Sequence, residues 1–145
     1  MGEHHPIVQA FLKSGPPVKM IDALGGLLKG DILEMDVEEG RAVLAFEPDA
    51  RFLQAGGVIH GGIVTTMLDY AMAMAAFSKL GAGRSFATVS LTSHFLKSAL
   101  PGRHLVRAAL DRMGGRMIFA SGELFREGDE EPLATGTSVM TITRG

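Results

Sequence analysis

The stretch Gln54-Ala55-Gly56-Gly57-Val58-Ile59-His60-Gly61-Gly62 leads directly into a long apolar segment, residues 63–78, and the two together decide the fold. The first part is rich in glycine, which indicates a tight turn, and the second has the length and composition of a helix. Within residues 61–78, only Asp69 is expected to be charged at neutral pH. Because this segment is apolar all round, we predict a central helix that is buried on all sides.

Asp69 is the exceptional residue of this segment, since its neighbours include Met67, Leu68 and Met72. Removing a lone carboxylate from water costs free energy unless the group gains a partner. Such a residue is either hydrogen-bonded for a structural reason or retained for chemistry. The pattern alone leaves both interpretations open.

The composition excludes several classes of function. The 145 residues are 46% hydrophobic and 21% charged, which suits one domain, residues 1–145, with a substantial core. Acidic and basic residues are interspersed and the net charge is -2, so we expect no nucleic-acid partner. The absence of cysteine excludes disulfides and thiolate metal sites, and we expect no metal or cofactor. There is no signal-peptide pattern and the apolar run is too short for a bilayer, which predicts a cytoplasmic protein without a membrane partner.

The remaining sequence predicts strands around the helix. Residues 1–30 form an N-terminal helical segment, with one helix at 6–13 and a second at about 17–28, and residues 31–145 form the core. Strands follow at 32–37, 41–46, 86–96, 105–113, 116–126 and 133–143. In the strand 86–96, alternation places Thr88 on the face opposite Val89 and Leu91.

The connections between these strands are short, so the sheet is expected to be antiparallel. A sheet lying flat against an apolar helix would leave one side of the helix exposed to solvent. The pattern therefore predicts an α+β fold in which about six strands curl around one long helix.

These residues resemble a known family. Gln54-x-x-Gly57-x-x-His60-Gly61-Gly62 followed by Leu68-Asp69-x-Ala71 is similar to the signature of the hotdog-fold acyl-CoA thioesterases, nearest to the phenylacetate-degradation (PaaI-like) branch. The likeness continues in Ala87-Thr88-Val89-Ser90-Leu91, Phe95-Leu96-Lys97, Pro101-Gly102 and Gly114-Gly115-Arg116, and it covers the chain from about residue 32 onward. It implies the hotdog fold and hydrolysis of an acyl-CoA.

The resemblance also implies roles for individual residues. The backbone N–H of Gly61 donates to the thioester carbonyl with assistance from Gln54, and Asp69 is the nucleophile or general base. Thr88 helps to orient water, and His60 and Gly62 belong to the substrate-binding turn without a catalytic role. The alternatives are structural: Gly61 and Gly62 permit close packing, and His60 caps the helix.

Two other functions compete with the thioesterase. A hotdog dehydratase would need a catalytic histidine paired with an acid, and no histidine follows Asp69 by four or five residues. A non-catalytic acyl-CoA-binding sensor could lose the carboxylate, which this chain retains.

Self-association is the remaining expectation. A sheet of this kind has edge strands that need covering, which predicts a two-fold dimer, and the resembled family commonly pairs such dimers into tetramers. Asp69 lies about 10–12 Å along the helix from Gly61 and Gly62, because the rise is about 1.5 Å per residue. One carbonyl cannot contact both ends of that span. We therefore expect each active site to be shared between two chains with antiparallel helices.

Overall fold

The structure of the chain, a computed structural model, describes residues 3–144. Within this range there are three α-helices and seven β-strands. The helices are α1 (Pro6–Ser14), α2 (Ala23–Leu27) and α3 (Gly61–Lys79). The strands are β1 (Val18–Lys19), β2 (Asp31–Asp36), β3 (Arg41–Phe46), β4 (Arg84–Phe95), β5 (His104–Met113), β6 (Met117–Arg126) and β7 (Ala134–Arg144).

All seven strands belong to one antiparallel sheet with the order β1-β2-β3-β5-β6-β7-β4. The helix α3 packs across one face of this sheet, and its buried side chains join those of the strands in a single core. This confirms the predicted α+β fold of one long helix on a curved antiparallel sheet. No helix in residues 3–144 combines the length and the apolar composition that a membrane span requires.

The sheet has one strand more than the sequence predicted. Residues 18–19, expected to be helical, form β1 and pair with β2, and helix α2 begins only at Ala23. Asp22 sets this start, because its side chain accepts a hydrogen bond from the N–H of Gly25 at 3.1 Å. Glycines at 25 and 26 are poor helix formers, so the second helix stays short.

The N-terminal residues share the core of the rest of the chain. Val8 and Phe11 of α1 are buried, and the imidazole of His5 packs on the ring of Phe77 in α3 with 4.3 Å between centroids. Helix α1 and the residue before it are therefore packed against the central helix.

The prediction that α3 is buried on all sides is wrong for the single chain. Met67, Leu68 and Met72 are fully buried on the side that faces the sheet. The opposite side carries a strip of half-buried residues that includes Thr66, Asp69 and Ala73. The physical reason is that the sheet is open: its seven strands cover one side of the helix and do not close around the other.

The two edges of the sheet differ greatly. The edge strand β1 has two residues, whereas β4 has twelve and pairs only with β7 among the described strands. Most of β4 is exposed, including Val89 at 60% and Phe95 at 56%. Long exposed edges with apolar side chains are sites where another strand pairs.

Candidate active site

The glycine-rich stretch forms a tight turn ahead of α3. The N–H of Gln54 donates to the carbonyl of Val58 at 2.8 Å, and Gly57 has φ +81°, which favours glycine. The turn is fixed to the sheet side of the molecule, because the N–H of Ile59 donates to the carbonyl of Ala99 at 2.7 Å. The turn before α3 is therefore held by one hydrogen bond within itself and by one to the segment that follows β4.

The first two N–H groups of α3 have no partner in the described part of the chain. His60 is the N-cap residue, and its side chain makes no capping hydrogen bond. Neither Gly61 nor Gly62 donates its N–H to any acceptor among residues 3–144. These donors lie at the positive end of the helix dipole, where they favour a developing negative charge. The alternative role of His60 as a side-chain cap is not seen.

A cavity of about 450 Å³ borders the start of α3 at Gly61. Its walls include Gln54, Gly61, Val64, Phe95 and Lys97. Gln54 Oε1 accepts from the N–H of Gly56 at 2.7 Å, which leaves the amide nitrogen as the free donor of that side chain. The lining of the cavity therefore includes one residue with an unpartnered backbone N–H, Gly61, and one with an unpartnered side-chain amide, Gln54, among the described residues.

The Gly61 position has little room for a side chain. A Cβ built there would lie 3.3 Å from Phe95 Cζ, whereas one built at Gly62 would meet nothing within 4 Å. The two glycines therefore differ: Gly61 provides close approach between the helix and β4, and Gly62 stands in open space.

Asp69 lies two turns further along α3. Its carboxylate is half-buried and has no hydrogen-bond partner among residues 3–144. Burial raises the pKa of Asp69 above its usual value. The neighbouring Tyr70 hydroxyl donates to Asp22 and not to Asp69. A half-buried carboxylate without a protein partner hydrogen-bonds to water at its exposed side.

Thr88 lies on the opposite face of β4 from the one predicted. It is paired with Met140, and Leu91 is paired with Ser138, with a register shift between Thr88 and Ser90. Met140 and Ser138 are both buried beneath α3, and cross-strand partners share a face. The bulge at this point adds one residue and reverses the alternation, so Thr88 is on the helix-facing side with Leu91.

Three contacts set the alignment of β4 along α3. Phe95 is beside Gly61, the Thr65 hydroxyl donates to Ser93 Oγ at 2.9 Å, and the rings of Phe86 and Phe77 are 4.8 Å apart. The strand thus runs antiparallel to the helix. Thr88 lies between Ser93 and Phe86 on the helix-facing side of β4, and its side chain is exposed in the single chain.

The predicted residues form two groups within one chain. Gln54, His60, Gly61 and Gly62 lie at the start of α3, whereas Asp69 lies at its middle and Thr88 lies on β4 between Phe86 and Ser93. Eight residues of helix separate Gly61 from Asp69, or about 12 Å along the axis. One chain therefore offers carbonyl donors at one place and a carboxylate at another.

Some contacts of the site were not foreseen from the sequence. Sequence alternation placed Phe95 on one face of its strand, but it did not show that the ring covers Gly61. The Thr65–Ser93 pair and the Tyr70–Asp22 pair join residues far apart in the chain and have no local signal. No cluster of three or more His, Asp or Glu side chains suited to a metal occurs in the part of the chain that the structure describes.

Comparisons with known proteins identify the family and the fold. The family model described as "Thioesterase superfamily" matches residues 56–133. A phenylacetic acid degradation-related protein of Ralstonia eutropha, titled a "putative thioesterase", has a crystal structure that superposes with TM-score 0.81 and 31% identity, covering 92% of this chain and 97% of that one.

Two curated proteins are similar as well. A Pseudomonas aeruginosa protein named "putative esterase" is 32% identical over 117 residues, covering 80% of this chain and 81% of that protein. A Schizosaccharomyces pombe protein is 34% identical over 97 residues, and the match spans only 52% of its length. This chain thus corresponds to about half of the yeast relative.

Proposed function

This chain belongs to the thioesterase superfamily and has the hotdog fold of its PaaI-like members, and from that premise we propose that it hydrolyses acyl-CoA thioesters to a free acid and CoA. The observation that carries the proposal is the pair of unpartnered donors at the start of α3, the N–H of Gly61 and the amide of Gln54, which border one cavity. Such donors stabilise the oxyanion that forms when a carbonyl is attacked.

Asp69 supplies the second requirement of the reaction. Either its carboxylate takes a proton from water as the water oxygen attacks the acyl carbon, or it attacks that carbon directly and water then cleaves the acyl-enzyme. In both routes the carbon–sulfur bond breaks and the sulfur leaves as the CoA thiolate, which is then protonated. Thr88, on the helix-facing side of β4, orients the water.

The complete site requires two chains in this proposal. The exposed edge of β4 pairs with β4 of a second copy, which sets two α3 helices antiparallel across a two-fold axis. Asp69 of one protomer then approaches Gly61 of its partner. The half-buried strip around Asp69, which the open sheet leaves uncovered, becomes enclosed by this pairing.

A chromogenic thiol assay with a panel of aromatic and aliphatic acyl-CoAs tests the activity directly, because only hydrolysis releases free CoA. Tight binding of acyl-CoA without release of CoA would instead support the sensor alternative. Light scattering that gave a monomer at micromolar concentration would contradict the shared site.

Mixed dimers test the sharing itself. Gln54→Ala and Asp69→Asn are each expected to be poorly active, and a dimer containing one of each regains one intact site. Random reassortment makes about half of the dimers mixed, so about a quarter of wild-type activity should return. If mass spectrometry shows mixed dimers and no activity returns, Gln54 and Asp69 serve one site from the same chain.

A further inference from the structure

An apolar cavity of about 340 Å³ lies between the N-terminal segment, β2 and α3. Most of the side chains that line it are apolar, and they include Ile7, Val18, Ile32 and Met74. Asp22 is one of the few polar residues in the lining. A cavity of this size and composition suits a small apolar group.

Tyr70 is connected to this cavity through Asp22. The Tyr70 hydroxyl donates to the carboxylate of Asp22, which also accepts from the N–H of Gly25 at 3.1 Å and so caps α2. The ring of Tyr70 packs against that of Phe46 with 5.7 Å between centroids. Burial and the contact with Asp22 raise the pKa of Tyr70, so the phenol remains the donor. The side chain is therefore fixed both at its ring and at its hydroxyl.

Around the helix, Tyr70 lies between Asp69 and the cavity. Each residue of an α-helix advances by about 100°, so Tyr70 is about 100° from Asp69, and Met74 of the cavity lining is about 140° from it. Thr66 and Ala73 fall at about 60° and 40° from Asp69 in the same direction. A path from Asp69 to the cavity therefore crosses two short side chains and then meets the ring of Tyr70.

The surface between Asp69 and Tyr70, along Thr66 and Ala73, forms a shallow acyl slot. The Thr66 hydroxyl donates to the carbonyl of Gly62 at 2.8 Å, and Ala73 carries only a methyl group, so neither offers a free hydrogen-bond donor. Both residues are half-buried on the side of α3 that the sheet leaves uncovered. The acyl group of a thioester held at Asp69 can lie along this slot.

We propose that Tyr70, held in place by Asp22, ends the acyl slot and restricts the substrates to CoA thioesters of short aliphatic or single-ring aromatic acids. This inference rests on the proposed thioesterase function. The cavity behind Tyr70 would accept a longer chain, but the fixed ring closes it off from Asp69.

The dimensions of the helix set the length of the slot. At a radius of about 5 Å, an arc of about 100° measures roughly 9 Å. An extended chain advances by about 1.2 Å per bond, so an acyl group of about eight carbons fills this distance. A decanoyl chain is longer than the slot and would meet Tyr70.

The test measures kcat/KM for saturated acyl-CoAs from acetyl to dodecanoyl. For wild type it should be highest at about six to eight carbons and fall by about tenfold or more at decanoyl. Tyr70→Ala should raise the ratio of kcat/KM for decanoyl-CoA to that for hexanoyl-CoA by at least about tenfold, because each methylene that becomes buried in the cavity tightens binding by about fourfold. This ratio does not depend on the fraction of the variant that is folded.

Asp22 is a positioning residue in this inference, and two variants test it. Asp22→Ser still caps α2 but is one bond too short for Tyr70, and Tyr70→Phe loses the same hydrogen bond while keeping the ring. Both should raise the decanoyl-to-hexanoyl ratio, by less than Tyr70→Ala does, and an unchanged ratio in both would remove Asp22 from the inference. Phe119→Ala is the control, since this ring is 38% exposed on the outer face of β6, and it should leave the ratio unchanged.

The binding of thioether analogues separates this inference from the proposed function. S-hexyl-CoA and S-decyl-CoA have no carbonyl and cannot be hydrolysed, so calorimetry reports on the slot even if no acyl-CoA is a substrate. Wild type should bind S-decyl-CoA no more tightly than S-hexyl-CoA, whereas Tyr70→Ala should bind it at least about tenfold more tightly. The same relative affinity in wild type and Tyr70→Ala would overturn the inference, and so would a wild type that prefers the decyl chain.

Discussion

The start and the middle of α3 differ in chemistry: the start offers hydrogen-bond donors and the middle a carboxylate. At the start, Gly61 borders a cavity together with Gln54, and its backbone N–H has no partner among residues 3–144. In the middle, Asp69 places a carboxylate with a raised pKa on the side that the sheet does not cover. A helix of this length places the two groups about 12 Å apart. In the proposed mechanism they therefore act on one thioester through a second copy of the chain.

The largest effect is expected at the middle of the helix. Asp69→Asn should lower kcat by at least about a hundredfold while acyl-CoA binding remains, because the amide cannot accept a proton or attack the carbonyl. Steady-state kinetics and circular dichroism provide the measurement, with Asp129→Asn in an exposed loop as the control. Retained kcat together with lost thermal stability would make Asp69 structural.

Substitution of Gln54, the side-chain donor at the start of α3, should lower activity less than substitution of Asp69. Gln54→Ala and Gln54→Glu should both lower kcat/KM by about 10–100-fold, since the N–H of Gly61 remains. Glutamate keeps the side-chain acceptor that holds the N–H of Gly56 and removes only the amide donor. If Gln54→Glu is as active as wild type while Gln54→Ala is not, Gln54 shapes the turn and does not assist the carbonyl.

The two glycines should respond differently to a methyl group. Gly61→Ala should lower kcat/KM by roughly tenfold, because the new Cβ lies 3.3 Å from the ring of Phe95 and crowds the carbonyl site. Gly62→Ala is the control, since its Cβ meets nothing within 4 Å, and it should stay within about threefold of wild type. Equal losses of kcat/KM from the two substitutions would show that the position of Gly61 does not matter more for the reaction than that of Gly62.

Thr88→Val tests whether the bulge in β4 brings Thr88 into the same site as Asp69. Loss of the hydroxyl at nearly constant volume should lower kcat by about five- to tenfold and leave KM unchanged, because the attacking water loses one partner. The control is Thr92→Val, which lies on the outer face of the same strand and should have no effect on kcat. An unaffected kcat in Thr88→Val would remove Thr88 from the site.

The smallest effect concerns stability. The folded state raises the pKa of Asp69 above its unfolded value, so it favours the protonated acid, and this contribution is lost as pH rises through the folded pKa. Asp69→Asn does not titrate and should therefore unfold at a higher temperature than wild type at pH 7.5, by about 1–2 °C, given partial screening by solvent. The gap should shrink as the pH approaches about 4, near the ordinary pKa of aspartate. A lower Tm for the variant at pH 7.5 would show that the carboxylate is satisfied in the folded protein.

Much of the site follows from local sequence. The turn before α3 and the helix itself were predictable because glycine content and apolar periodicity act within a few residues. Asp69 stood out for the same reason, as a single charge in an apolar helix. The exposed strip along Thr66, Asp69 and Ala73 was not predictable, since it depends on how far a sheet of distant strands extends around the helix.

Taken alone, the sequence determined the long helix, six of the strands and the antiparallel sense of their pairing, because hydrophobic periodicity and turn residues are local properties of the chain. The expected succession of the last four strands is wrong for β4, which pairs with β7 at the edge of the sheet, while β3 pairs with β5. Only the tertiary structure decided that residues 18–19 add a strand, that Thr88 faces the helix, and that Asp22 holds Tyr70 beside an apolar cavity. The physical reason is that pairing register, bulges and the meeting of separate segments depend on contacts between residues far apart in sequence, which no local pattern records.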